Sequence, residues 1–224
     1  MRYQADMTLS AEPMPTDLRS RKRLATRRAI SLAADRLFLE RGFDNVTVDE
    51  IAAAADVGRM TVFNHFPRKE DMFFDREEEG REVLLDALRQ RDPGVAPVEA
   101  LRLLAHRLVA EQRPYVEFSN RSQGFIKTIE GSETLKARAR AIRDELAQAV
   151  RVALAECAGR DPGDTDARLA AELLLATWTV AFIEAHRTFR EGGRDTEKAK
   201  AAFLAVVDKG SVGAKAAMGG TPYV

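Results

Sequence analysis

Cysteine is nearly absent from this 224-residue chain. Cys157 stands alone, so no intrachain disulfide can form, which fits a reducing compartment. The three histidines, His65, His106 and His186, fall at no ligand spacing, and a lone thiol makes no cluster. Neither a metal nor a cofactor is expected. Catalytic sets are missing too: there are no paired carboxylates, no nucleophile beside a base and no glycine loop shaped for phosphate, so an enzyme is not expected. No run of β-branched residues alternates with polar ones, which excludes strands from the expected fold. The longest uncharged apolar stretch, Leu173 to Ile183, is shorter than the roughly 20 residues of a bilayer span. The first seventeen residues lack the apolar core of a signal peptide. The expectation is a soluble, cytoplasmic chain without membrane contact.

Formal net charge is zero, but its distribution is uneven. From Leu18 to Lys69 eleven Lys and Arg oppose six acids, leaving +5 there and −5 over the remainder. A basic amino-terminal segment on a mildly acidic body suits a polyanion at one end. Hydrophobic residues make up 45%, enough for a sizeable core.

The pattern along the chain is helical. Ile30, Ala33, Ala34, Leu37 and Phe38 form one apolar stripe, which Gly42 stops. Thr47 and Glu50 have capping-box spacing ahead of a short helix that buries Val48, Ile51 and Ala52. Asp56 sits at a tight turn, Gly58 caps a third helix and Pro67 ends it. A long helix is then expected over residues 70–89, followed by helices over about 98–111, around 118–129, and over 134–158, 167–191 and 196–209. The fold class is all-α with roughly nine helices. The expected organisation is a disordered lead-in over 1–17, a helix-turn-helix head over 18–69, a helical body over 70–209 and a flexible tail over 210–224.

Two short helices joined by a tight turn behind a longer one make a helix-turn-helix. On the third helix Val62 and Phe66 lie within about 40° of each other and point inward. Thr61, Asn64 and His65 point outward, Met60 borders them, Phe63 lies on the opposite flank and Arg59 stands at the exposed end. That outer face is small, polar and hydrogen-bonding, the kind of face a major groove admits. Arg19, Arg21, Lys22 and Arg23 precede it, either as an arm tracking phosphates or as a solvated lead-in.

The stretch from Thr26 to Phe73 resembles the DNA-binding domain of TetR-family transcriptional regulators. The resemblance rests on the apolar stripe of the first helix, the Arg-Gly-Phe stop, the Thr-Val-x-x-Ile-Ala start and the Thr-Val-Phe-x-His-Phe-Pro-x-Lys-Glu finish. It implies that Thr47 meets a DNA phosphate, that Arg59, Met60, Thr61, Asn64 and His65 meet base edges and flanking phosphates, and that Lys69 clamps a phosphate. The chain departs from the family pattern at Asp56, Gly58, Met60 and Phe63. Phe63 stands where a tyrosine hydroxyl commonly touches a phosphate, so it either contacts a thymine methyl or a sugar, or packs.

The resemblance further implies a double-stranded DNA operator, a small-molecule effector bound among the body helices, and a homodimer formed by the last two helices. Apolar stripes through Leu174, Trp178 and Phe182 and through Ala199, Phe203 and Val206 fit that dimer. Polar groups in apolar surroundings nominate Arg121, Ser122, Gln123, Trp178, Glu184 and His186 for the effector, with Tyr115, Phe118 and Phe125 as walls. The expected function is a repressor released from a palindromic operator by a small molecule. The alternative is a DNA-binding regulator with no effector, controlled by a partner or acting architecturally.

Overall fold

The computed structural model describes residues 17–224, and the expected lead-in lies outside the described residues except for Asp17. Among the described residues there are ten α-helices, one 3-10 turn and no strand. The chain divides into two compact units between Phe73 and Phe74, four residues beyond the expected boundary at Lys69.

The head contains α1 (Leu18–Arg41), α2 (Val48–Ala54), α3 (Arg59–His65) and α4 (Lys69–Phe73). The α1 helix starts where the Asp17 carboxylate accepts the Ser20 N–H at 2.9 Å. Arg19, Arg21, Lys22 and Arg23 therefore lie on the first turns of a helix and do not form an extended arm. Ile30, Ala33, Ala34 and Phe38 bury the expected stripe. Phe38, Phe43 and Phe73 close the head's core, with ring centroids 4.9 to 6.2 Å apart.

The body contains α5 (Glu77–Arg89), α6 (Pro97–Ala110), α7 (Asn120–Glu130), α8 (Glu133–Cys157), α9 (Thr165–Glu191) and α10 (Thr196–Ala217). The single helix expected over 70–89 is two, because the turn at Phe74–Arg76 separates α4 from α5. Glu77, Glu78 and Glu79 occupy the first turn of α5, where acids favour a fresh helix start. Phe74 meets the ring of Phe125 on α7 edge-on, with centroids 6.0 Å apart.

The flexible tail expected from Gly210 is also corrected. The α10 helix runs through Gly210 and Gly213 to Ala217, and Ser211, Ala214, Met218 and Tyr223 are buried. The Val98 N–H donates to the Tyr223 carbonyl at 3.1 Å, satisfying one of the orphan donors of α6. Charged groups fix this register. Arg102 meets Glu99 at 2.7 Å and Asp208 at 2.9 Å, and Lys215 reaches Glu99 at 2.7 Å. Hydrogen bonds from Arg102, then from Lys215, pull the Glu99 carboxyl down to about 2. Gly210 is there for contact: a Cβ on it would lie 2.2 Å from Thr177 Cγ2 and 2.9 Å from Thr177 Cβ.

By length and composition α9 is apolar enough to cross a membrane. In the fold its buried side, from Ala167 to Phe189, packs with α8 and α10. Its other side leaves Leu169, Val180 and Ile183 in solvent.

Gly210→Ala is expected to destabilise the body by about 1–3 kcal/mol, because Thr177 cannot clear the new methyl by rotating alone. Thermal unfolding measures this loss, and adding Thr177→Ala should recover part of it.

Candidate nucleic-acid interface

The helix-turn-helix is built by local hydrogen bonds. Thr47 Oγ1 accepts the Glu50 N–H at 3.3 Å while the Glu50 carboxylate accepts the Thr47 N–H at 2.8 Å, completing the expected capping box. These bonds, the Thr47 N–H first, and the Arg41 guanidinium bring the Glu50 carboxyl down to about 2. Asp56 takes φ +54°, the left-handed conformation that a short polar side chain tolerates. Gly58 caps α3 without any side-chain hydrogen bond.

Val62 and Phe66 are fully buried, as the helical wheel requires. Two cations supplement that small anchorage. Arg27 of α1 stacks 4.0 Å over the Phe66 ring and donates to the His65 carbonyl at 2.7 Å. Lys69 Nζ donates to the carbonyls of Phe43 and Val46, each at 3.0 Å, and lies 4.1 Å from the centre of the Phe43 ring. A lysine in a first helical turn opposes the macrodipole, and these carbonyls give it a structural reason to be there. Arg27 went unnoticed as an anchor in the sequence, although it extends the Ile30–Ala34 stripe by one turn. A charge on an otherwise apolar stripe was the available signal.

The reading face is open. Arg59, Met60 and Asn64 are exposed, and Thr61 and His65 are half-exposed. Met60 keeps 69% of its surface in solvent, high for a large apolar side chain on a seven-residue helix. Arg59 pairs with Asp49 of α2 at 2.6 Å and reaches over the Phe63 ring at 5.4 Å. Phe63 is half-buried beneath that guanidinium. Burial, then Arg23 and Arg27, lowers the His65 pKa below its ordinary value. Its ring is therefore neutral at pH 7, with one donor and one acceptor nitrogen. Thr47 is exposed at the start of α2.

The effector candidates do not converge. Phe118 is fully buried in an aromatic cluster with Phe182, Phe203 and His186. Trp178 packs edge-on to Phe203 at 5.9 Å. Ser122 is occupied in a capping box with Ser119, and Glu184 in an ion pair with Arg187 at 2.7 Å. Arg121 is exposed, Phe125 packs on Phe74, and Tyr115 lies under Arg76, its hydroxyl pushed up to about 12 by burial and by Glu79. None of these seven lines either of two clefts on the body, one of about 680 Å³ between α7 and the end of α9, the other of about 430 Å³ between α5 and α8. Gln123, also nominated from the sequence, does line the first.

The head is thus a helix-turn-helix, followed by a separate helical body. Residues 30–75 match the model of the tetR family of bacterial regulatory proteins. The match lies almost wholly within the head and takes in about a fifth of the chain. It is 36% identical over 89 residues to the HTH-type transcriptional regulator TcmR of Streptomyces glaucescens, over 40% of this chain and 39% of that protein. It is 50% identical over 48 residues to the HTH-type transcriptional repressor BepR of Brucella suis, over 21% of this chain and 23% of that protein. The aligned part is therefore well under half of either relative. The crystal structure of native NalD, the secondary repressor of the MexAB-OprM multidrug efflux pump in Pseudomonas aeruginosa, is similar at 25% identity and a TM-score of 0.53. That match covers 84% of this chain and 97% of NalD.

Lys69→Ala removes two charge-assisted hydrogen bonds at a half-buried site, so the head should lose about 1–2 kcal/mol in denaturant unfolding. Unchanged stability would show that the latch contributes nothing.

Proposed function

We propose that the chain is a homodimeric, sequence-specific DNA-binding transcriptional regulator, a repressor that leaves a palindromic operator when a small molecule occupies its body. The observation that carries this reading is the exposed face of α3. Arg59, Met60, Thr61, Asn64 and His65 stay in water on a helix held by two buried side chains and an arginine clamp. Asn64 offers the amide pair that matches an adenine edge, and Met60 offers an apolar surface for a thymine methyl. Arg59, steadied by Asp49, suits a guanine edge or a phosphate. Phe63, under that guanidinium, supports the packing alternative for this position. Thr47 and the α1 cations serve as phosphate contacts. Arg19 and Arg21 oppose the macrodipole in a first turn that holds no acid, a cost that DNA phosphates would offset. Lys69 Nζ has three protons and spends two on carbonyls, leaving one for a phosphate.

The stripes through Leu174, Trp178 and Phe182 and through Ala199, Phe203 and Val206, expected at the dimer face, pack into the protomer's own core, so the dimer reading rests on the outer side of the α9–α10 pair. Leu169, Leu173, Ala176, Val180 and Ile183 recur at alternating four- and three-residue steps, a coiled-coil seam, and Leu169, Val180 and Ile183 are exposed. Ala201, Ala205 and Val212 carry a matching exposed stripe on α10. Paired by two-fold symmetry, two α3 helices about 34–36 Å apart enter successive major grooves. Effector control then needs a state of the body that spaces the heads differently. The Phe74–Phe125 contact ties the residue that follows the head to α7. A differential affinity of about 100-fold, roughly 2.7 kcal/mol, suffices to shift occupancy.

Selection of bound duplexes from random DNA is expected to return a two-fold symmetric consensus, and Asn64→Ala should change the preferred base at one position per half-site. Recovery of an unselected pool would overturn specific recognition, and equal loss on every sequence would overturn base readout by Asn64. Ile183→Glu, at a position 64% exposed in one protomer, should leave the fold intact and convert the dimer to monomer in sedimentation.

A further inference from the structure

We infer that the cleft between α7 and the carboxy-terminal end of α9 takes an amphipathic organic anion, an aromatic carboxylate by class, as the effector. This rests on the reading of the chain as an effector-responsive regulator. The cleft's volume of about 680 Å³ is in the range that holds a metabolite. Its wall carries Lys127, Arg190 and Arg194 against the single acid Glu130. Elsewhere in the body Arg81, Arg102, Arg138, Arg143 and Arg187 each meet a carboxylate within 3 Å. Among the described residues neither Lys127 nor Arg194 makes an ion pair, and Arg190 has only its exposed neighbour Glu191 at 3.7 Å. Three cations against one acid on one wall, two of them in no ion pair, raise its potential and favour a ligand that brings negative charge.

The apolar part of the ligand is specified by other residues. Phe189, 3% exposed, and Ile126 give the cleft an aromatic and an aliphatic surface. A small inorganic ion would make no use of these, and a neutral apolar molecule would make none of the cations. The polar wall is already oriented. Gln123 Nε2 donates to the His186 carbonyl at 3.0 Å and lies 3.1 Å from His186 Nδ1. Burial, then Arg190, lowers the His186 pKa, which keeps the ring neutral and leaves Nδ1 free to accept that amide. The Gln123 carbonyl oxygen remains on the cleft wall as an acceptor for a hydroxyl. Arg194 holds φ +64° and is fixed by its N–H bond to the Phe189 carbonyl at 2.9 Å, so the third cation stands on settled backbone.

The test is calorimetric titration of the full chain with three probes: naphthoate, the uncharged naphthylmethanol and inorganic phosphate. Naphthoate should bind, and the other two should bind at least about tenfold more weakly. Lys127→Gln and Arg194→Gln should each weaken naphthoate about tenfold with no effect on the alcohol. Both positions are exposed, so the variants should keep the fold, which circular dichroism verifies. Absence of naphthoate binding, equal binding by the variants, or equal affinity for the alcohol or phosphate would overturn the inference. Operator binding is measured in parallel with and without naphthoate. A wild-type chain that binds naphthoate through Lys127 and Arg194 but no specific DNA would sink the regulator reading and leave the anion site standing. A chain that binds specific DNA but not naphthoate would do the reverse.

Discussion

A helix proposed to read DNA must show most of its side chains and still hold still, and α3 has only Val62 and Phe66 to bury. Two side chains of that size contribute about 1.5–3 kcal/mol each when fully buried. That is little to set against the ordering of a seven-residue helix. The head meets this constraint from outside the helix. Arg27 covers Phe66 and takes up the His65 carbonyl, so one guanidinium supports both the packing and the unfinished end of α3. Asp49 holds Arg59 from the neighbouring helix. Lys69 fastens the loop between α1 and α2, on which the start of α2 depends. Charged groups thus do structural work at the margin of a small core, and the apolar face of α3 stays narrow enough to leave a broad polar one.

The head was largely legible because its signals are short-range. A capping box, a left-handed aspartate, a capping glycine and a terminating proline each act within a few residues, and all four operate in the structure as read. The cation network was not legible, because Arg27 and His65 are 38 residues apart and Lys69 and Phe43 are 26 apart. No local pattern announces such pairs. Lys69 is such a case: its place in a first helical turn is locally unfavourable, and the carbonyls that hold it lie elsewhere in the chain.

The body was less legible for a related reason. Periodicity located its helices, yet it cannot tell a glycine that ends a helix from one that lets two helices touch. Gly210 is of the second kind, and α10 continues beyond it because Lys215 and Tyr223 find partners on α6. The break at Phe74–Arg76 was hidden by strong helix formers on both sides. The effector candidates failed to converge because polar residues amid apolar ones mark capping boxes and ion pairs as readily as they mark ligands, as Ser122 and Glu184 illustrate.

The close approach at Gly210 ties two positions together. The space between α9 and α10 holds the Thr177 side chain or a side chain at 210, but not both. Substitution at either position therefore changes what the other tolerates. The apolar stripes of Val180 and Val212 sit on the same two helices, so the geometry of any surface they form depends on how closely those helices pack, at Gly210 against Thr177 and where Trp178 and Phe182 meet Phe203.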